Sequence, residues 1–468
     1  MYLHDTICAP ATVPGTGAIT VIRVSGPESF ALVDRIFRSS RGRLSDAAGH
    51  TVLHGTVVDP SDGEAMIDEV LVSVFRAPHS YTGEDSAEIS CHASAYVAMH
   101  VLNLLCIGGA RMAEPGEFTR RAFVNGKMDL AQAEAVADVI SSTSSAAHRL
   151  AVSQMKGGYS QELARIREAL VEVTSLLELE LDFSEEDVEF ADRSHLRSLL
   201  ASASGRIRQL SDSFRLGNAI KCGVPVVIVG APNTGKSTLL NALVGEERAI
   251  VSDIAGTTRD SIEEQLVLDG ISFRFIDTAG LRSSNDQIES KGIERAMKML
   301  ATADIVLALV DATRSPAEAG RLLTELLSRV DDSSQQLVVL VNKMDLNKNV
   351  NDINKMVSDS GIQRNVLNIS ALSGEGLDAL RHTLVRLVQG RLSGTSDHIL
   401  VTNARHHEAL RLTAHDLDAA LSALDAGIPS DLVAQDLRSA LHHLGTITGA
   451  VTTDEVLGEI FGRFCIGK

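Results

Sequence analysis

No uninterrupted apolar run in this chain approaches the ~18 residues a membrane-spanning helix needs, so a membrane protein is not expected. No CxxC pair occurs either. The five cysteines, Cys8, Cys91, Cys106, Cys222 and Cys465, are odd in number and scattered over 468 residues. That is no disulfide framework, and it fits a reducing, cytoplasmic setting. A basic excess is also missing: 43 Lys and Arg against 61 Asp and Glu give a formal net charge of −18. A broad cationic surface for non-specific nucleic-acid binding is therefore disfavoured, although a local basic patch stays compatible. The first residues hold no basic segment followed by an apolar one, being broken by Asp5 and Pro10, so no secretory leader is expected. Internal repeats and low-complexity tracts are absent as well.

At ~100–200 residues per domain, the length allows two to four domains. Three compositional regimes are visible. Residues 1–125 carry short β-rich runs such as Ala18–Val24 and Val70–Phe75, and turn clusters at Pro14-Gly15, Ser25-Gly26-Pro27 and Pro115-Gly116. They predict a mixed α/β domain. Residues 126–221 contain no proline; Leu130, Ala133, Ala137 and Ile140, then Leu163, Ile166, Leu170 and Val173, fall at helical spacing. A break is expected at Gly157-Gly158. From 222 to 390, apolar runs alternate with helical patterns. The strands expected there are Val224–Val229, Phe273–Ile276, Ile305–Val310, Leu337–Val341 and Val366–Ile369. That alternation indicates βαβ units and a parallel sheet covered on both faces. From 391 the pattern is helical again to about residue 445. The simplest architecture is a multi-domain α/β plus α chain. An N-terminal domain precedes a helical domain with halves 126–221 and 391–468, into which the second α/β domain (222–390) is inserted.

Gly230-Ala231-Pro232-Asn233-Thr234-Gly235-Lys236-Ser237 fits GxxxxGK[ST]; it follows an expected strand and precedes the helical run Thr238–Leu243. That is the context a P-loop requires, and it makes a chance Gly-rich turn the weaker reading. The glycines let backbone N–H groups curl around phosphate oxygens, and the helix N-terminus adds a favourable dipole. Lys236 should reach the β- and γ-phosphates and Ser237 should ligate Mg²⁺, with Asn233, Thr234, Gly235 and Thr238 in the same cradle. Asp277-Thr278-Ala279-Gly280 follows the next strand. Its carboxylate can reach a magnesium-bound water, and the Gly280 amide can approach the γ-phosphate. Between the two lies Gly256-Thr257-Thr258-Arg259-Asp260, a loop that can order around a triphosphate, with Ser252, Asp253, Ile254 and Ala255 just before it counted among the GTP-binding residues; Thr258 is the hydroxyl chosen for Mg²⁺. A polar surface loop is the competing reading.

Asn342-Lys343-Met344-Asp345 follows Leu337–Val341. Guanine presents N1–H and an exocyclic amine, and the Asp345 carboxylate can accept from both; adenine offers no such pair. Lys343 can lay its stem along the base plane. Ser370-Ala371-Leu372 follows Val366–Ile369, and the Ala371 N–H can meet guanine O6. These two elements turn an expected nucleoside triphosphatase into an expected GTPase that binds GTP and GDP.

After Gly280 comes Leu281, where many small GTPases carry a water-orienting glutamine. Leucine cannot orient water by hydrogen bonding. Either hydrolysis is slow or another polar group acts. Asp286 and Glu289 lie just downstream; Glu289 is preferred, and a solvated charge at a helix start is nearly as good a reading. No arginine finger can be assigned. A monovalent cation could replace its charge, with Asn233 supplying an oxygen.

With these motifs in order, the whole chain resembles the tRNA modification GTPase family MnmE, also called TrmE. Besides the motif order and Leu281, the resemblance rests on Ile254–Asp260, Asp5-Thr6-Ile7, Arg23-Val24-Ser25-Gly26, Tyr81-Thr82-Gly83-Glu84-Asp85, Pro115-Gly116-Glu117-Phe118-Thr119 and Lys127–Ala135. The most specific part is the terminal Phe464-Cys465-Ile466-Gly467-Lys468. The resemblance implies a K⁺-activated GTPase whose G domains dimerise during hydrolysis. It implies a homodimer through an N-terminal tetrahydrofolate-binding fold, and an FAD-dependent partner, MnmG (GidA), in a heterotetramer. Together they would add a carboxymethylaminomethyl group at C5 of the wobble uridine of certain tRNAs. The one-carbon unit would come from a tetrahydrofolate derivative, 5-formyl- or methylene-tetrahydrofolate.

Residue roles are implied in the same way: K⁺ on Asn233, Ser252, Ile254 and Thr257, Mg²⁺ on Ser237 and Thr258, and catalysis by Glu289. Folate contacts would fall on Arg23, Glu88, Lys127 and Lys468. Cations suit the folate glutamate tail, and a carboxylate suits the pterin donors. Cys465 lies beside that site by analogy, either as a thiol with a role or as a small buried residue. Two departures stand out: Thr234 replaces the family's usual alanine, and Ser283-Ser284 replace a commonly acidic stretch. A ribosome-assembly GTPase that binds rRNA is the alternative. The −18 net charge and the lack of an obvious basic RNA-binding module count against it.

Overall fold

The computed structural model describes all of the chain except residues 1–4, 14, 16, 183–192, 246–262, 277–299, 331–334, 347–349, 360–364, 394–398, 463 and 468. The chain divides into two compact units, one of Met1–Ala137, Gln154–Ala201 and His415–Lys468, the other of Asp138–Ser153 and Ser202–Ala414.

In the first unit, β1 (Ile7–Pro10), β2 (Ile19–Ser25), β3 (Phe37–Arg38), β4 (Thr51–Asp59), β5 (Ala65–Phe75), β6 (Ser86–His92) and β7 (Arg111–Met112) form one sheet. Their order is β3-β4-β5-β6-β2-β1-β7, antiparallel throughout except for the parallel pair β1–β7. Alternation buries one face. Val70, Val72 and Val74 of β5 and Ala87, Ile89 and Cys91 of β6 point into a core with Leu32, Val33 and Ile36 of helix Ser29–Ile36. Val101, Leu102 and Leu105 of helix Ala95–Gly108 close that core. The expected mixed α/β character is observed, and the register sets Arg23 of β2 opposite Glu88 of β6.

Helix Gly158–Asp182 buries Leu163, Ile166, Leu170 and Val173, the residues whose spacing predicted it, and packs on helix Ser430–Thr448. Gly157, at φ +88°, separates it from helix Ser145–Met155, as the Gly-Gly pair suggested. Helical structure continues past the expected end, in helix Asp454–Phe461, whose N-cap Thr453 accepts from Val456 N–H at 3.4 Å. Leu457 and Phe461 of that helix pack on Leu130 and Ala133 of helix Leu130–Ser141.

The second unit is built on β8 (Val224–Val229), β9 (Glu263–Leu268), β10 (Ile271–Ile276), β11 (Ile305–Asp311), β12 (Gln336–Asn342) and β13 (Asn365–Asn368), in the order β13-β12-β11-β8-β10-β9. The four pairings from β13 to β10 are parallel. Successive residues go to opposite faces: Val226, Ile228, Leu307 and Leu309 enter one core, and Val227, Val306, Ala308 and Val310 the other. Both faces are therefore covered, as the unbroken apolar runs required. One addition is β9, an antiparallel edge strand. Its charged start, Glu263-Glu264, hid it from an apolar-run reading. The turn to β10 has two positive φ values, Asp269 at +46° and Gly270 at +77°, the pattern of a type I′ hairpin. Strand order reverses at β8, which lies between β10 and β11, and ligands of such sheets bind beyond the carboxyl ends of the strands at that point.

Candidate functional site

The loop after β8 joins helix Lys236–Gly245, and its backbone oxygens are almost completely accounted for. Lys236 Nζ donates to the carbonyls of Gly230 at 2.8 Å and Ala231 at 2.9 Å. The buried Thr234 hydroxyl also donates to Ala231 O, at 2.8 Å. Arg314 Nη2 donates to Pro232 O at 3.1 Å, and Lys343 Nζ to Asn233 O at 3.0 Å. Asn342 Nδ2 donates to Thr234 O at 2.8 Å. Asn233 stands at φ +64° and Gly235 at +100°. A Cβ at Gly235 would lie 2.5 Å from Asn342 Nδ2, so this glycine is required by the approach as well as by its φ. Ser237 and Thr238 are exposed at the helix start. The geometry suits an anion cradle, in which carbonyls are turned to side-chain donors.

At the other end, Asn342 closes β12 and Asp345 sits, exposed, in the short turn Met344–Leu346. Met344 N–H donates to Ile369 O at 3.2 Å, which holds this turn beside the Ser370-Ala371-Leu372 segment. The Ala371 N–H, expected at guanine O6, donates to Asn342 Oδ1 at 2.9 Å. A base oxygen there would share that donor. Leu372 is exposed. Asp311 was not singled out from sequence, yet its Oδ2 lies 2.6 Å from Lys343 Nζ. Burial pushes its carboxyl up, but the Lys343 and Thr313 donors outweigh that and leave it below the usual value. The Asp-Ala-Thr succession, with its side-chain-to-backbone turn chemistry, was the available signal. Ser252, Asp253, Ile254, Ala255, Gly256, Thr257, Thr258, Asp277, Thr278, Ala279, Gly280 and Glu289 lie outside the described residues.

In the first unit, Arg23 and Glu88 meet: Nε and Nη2 lie 2.9 and 2.8 Å from Glu88 Oε1. The guanidinium also lies over the rings of Tyr81 at 5.2 Å and Phe118 at 5.5 Å. Its Nη1 donates to Gly467 O at 3.4 Å, so the terminal motif reaches this site. Gly467, at φ +95°, has no room for a Cβ against the Pro10 backbone. Lys127 Nζ donates instead to Pro78 O at 2.8 Å, on the loop that carries Tyr81. Lys468 lies outside the described residues, and Cys465 is exposed. Burial pushes the Cys8 thiol up to about 12 and the Cys91 thiol up to about 11, which leaves neither reactive near neutral pH.

Asp5-Thr6-Ile7, Tyr81–Asp85 and Pro115–Thr119 carry the family resemblance but no role in sequence. They converge on one ion network. The fully buried Arg121 lies 2.6 Å from Asp5, 3.1 Å from Glu117 and 3.2 Å from Glu84. Arg111 adds contacts of 2.6 Å to Glu117 and 2.7 Å to Asp5. Glu84 accepts from Ser25 at 2.8 Å, and Tyr81 OH pairs with Thr119 at 2.9 Å. The network fixes the loop that places Tyr81 over Arg23.

Residues 130–465 match the family described as MnmE helical domain, and residues 6–127 match the GTP-binding protein TrmE N-terminus. The chain belongs to the MnmE family. A "tRNA modification GTPase MnmE" of Bacteroides fragilis is 50% identical over 470 residues, covering 99% of this chain and 100% of that protein. A protein of the same name from Flavobacterium johnsoniae is 46% identical, with complete coverage of both. A solved structure of Era with MgGDPNP and a fragment of 16S ribosomal RNA aligns with 35% of this chain at 29% identity and a TM-score of 0.28, too slight a likeness to add to that.

Proposed function

We propose that this MnmE-family chain hydrolyses GTP and that hydrolysis serves the modification of tRNA. The observation that carries the reading is the bonded frame joining the phosphate cradle to the base-reading loops: Lys343 and Asn342 hold the carbonyls of Asn233 and Thr234. Two loops whose bonded residues lie 108 and 110 positions apart in sequence are thereby tied together. Asp345 reads guanine through its two donors, and Lys236 neutralises phosphate charge. Ser237, an exposed hydroxyl at the helix start, fits Mg²⁺, with Thr258 as its companion; bound Mg²⁺ supplies charge neutralisation on the phosphates. Asn233, exposed in the P-loop, fits K⁺ through its side-chain oxygen, and Ser252, Ile254 and Thr257 are the further ligands proposed. Glu289 acts on the attacking water, directly or through a second one, in place of the glutamine that Leu281 replaces.

Beyond hydrolysis, the reading extends to a folate site on Arg23, Glu88, Lys127 and Lys468. The cation–carboxylate pair under an aromatic ring suits a charged, flat ligand, although Glu88 Oε1 is already engaged by Arg23. A homodimer working with MnmG at the wobble uridine completes the proposal, and the cytoplasm is its setting. Among the described residues no helix is long and apolar enough to cross a membrane. Calorimetry tests the first step: GTP should bind and ATP should not. Mass spectrometry of wobble nucleosides from cells lacking the chain tests the second, and unchanged nucleosides would reject a tRNA role.

A further inference from the structure

We propose that Arg314 is a positioning residue for the phosphate cradle: bonded to the Pro232 carbonyl, it turns the Pro232–Asn233 peptide so that the Asn233 N–H faces the phosphates. The inference rests on the GTPase reading and concerns a residue outside every motif behind it. Each carbonyl from Gly230 to Thr234 is held by a side-chain donor. Thr234 and Lys236 belong to the P-loop itself, and Asn342 and Lys343 to the base-reading motif. Arg314 is the remaining donor.

In a planar trans peptide the C=O and the following N–H point to opposite sides. Holding the Pro232 oxygen on Arg314 therefore aims the Asn233 N–H to the opposite side. Holding the Asn233 oxygen on Lys343 does the same for the Thr234 N–H. Asn233 needs such restraint, because φ +64° is uncommon for a residue other than glycine. Pro232 has no N–H with which to fix the bend itself.

Local chemistry puts Arg314 in place. Asp311 Oδ1 accepts from Thr313 N at 2.9 Å and from its hydroxyl at 2.7 Å. Arg314 N–H closes the turn on Asp311 O at 3.1 Å. The other carboxylate oxygen of Asp311 holds Lys343. One buried carboxylate thus organises the donors to two successive P-loop carbonyls.

The test uses the full chain and the release of fluorescent N-methylanthraniloyl GDP, with GMP as a competitor lacking the β-phosphate. Arg314→Gln should speed GDP release about 2- to 10-fold, the scale of one hydrogen bond. Arg314→Lys, which keeps a donor, should recover part of the retention. GMP should compete equally well with both proteins. Unchanged GDP release from Arg314→Gln overturns the proposal, and so does equal weakening of GMP and GDP, which marks general damage. Wild-type protein that fails to retain GDP overturns both this inference and the GTPase reading beneath it.

Discussion

Lys343 holds the backbone oxygen of Asn233 at 3.0 Å while its ammonium lies 2.6 Å from Asp311, so the Asn342–Asp345 motif fixes the bend of the Gly230–Ser237 loop. The Asn233 side chain, on that bend, is the oxygen assigned to K⁺. Turnover of GTP should rise when K⁺ replaces Na⁺ at equal ionic strength, by roughly tenfold or more for ~1.4 kcal/mol of transition-state stabilisation. Asn233→Ala should remove the difference between the salts. Steady-state rates in both salts check this, and equal rates for the wild-type chain would eliminate the cation.

Asp345 is exposed in the turn after β12, where its carboxylate can accept from two donors of a base. Asp345→Asn offers one acceptor and one donor. Guanine then meets a donor with its own donor. Affinity for GTP should fall about 10- to 100-fold, the range for charged hydrogen bonds. Xanthine carries an oxygen in place of the amine, so xanthosine triphosphate should gain affinity. Titration with both nucleotides reads the reversal; a parallel loss for both would mean the side chain does not face the base edge.

Much of this architecture was legible because burial on both faces of a parallel sheet forces unbroken apolar runs. Val224–Val229 and Ile305–Val310 could hardly be read otherwise, and the phosphate and base motifs follow such runs directly. β9 was not legible, since it begins on Glu263 and Glu264 and is an edge strand with one neighbour. Asp311 and Arg314 escaped for another reason. Arg314 acts directly, and Asp311 through Lys343, on backbone oxygens of a loop some 80 residues away, and no local spacing records those contacts. Likewise no local spacing records that Asp5 joins Arg121 and Glu117, since folding brings it to them from a distant segment.

Gly467 delivers the terminal motif to Arg23. Its φ of +95° and the Pro10 backbone beside it both exclude a side chain. Gly467→Ala should therefore weaken the contact between Gly467 and Arg23, at a local cost of roughly 1–3 kcal/mol. That contact joins two residues of the first unit, and the nucleotide motifs belong to the second. Wobble modification should fall severalfold or more while GTP hydrolysis by the isolated chain stays near wild type. Nucleoside analysis from complemented cells and a phosphate-release assay separate the two. Full modification by the variant would show that the motif need not dock.

Glu117 is buried between Arg111 and Arg121, and burial raises its carboxyl while the two guanidinium groups and the Glu114 amide lower it further, to a net value below the usual one. Asp5 is lowered in the same manner. A lowered folded value means the unfolded chain binds the proton first. The stabilisation is fully present above the ordinary carboxyl value of about 4.3 and is lost as pH falls from there through the lowered value. Glu117→Gln removes one partner of a buried pair and leaves Arg121 under-compensated, which should cost about 3–5 kcal/mol at neutral pH. Because the variant no longer carries that titration, its stability should fall less steeply with acid below pH ~4. Denaturant unfolding of both proteins across that range is the measurement. Identical slopes would mean the network contributes packing rather than charge.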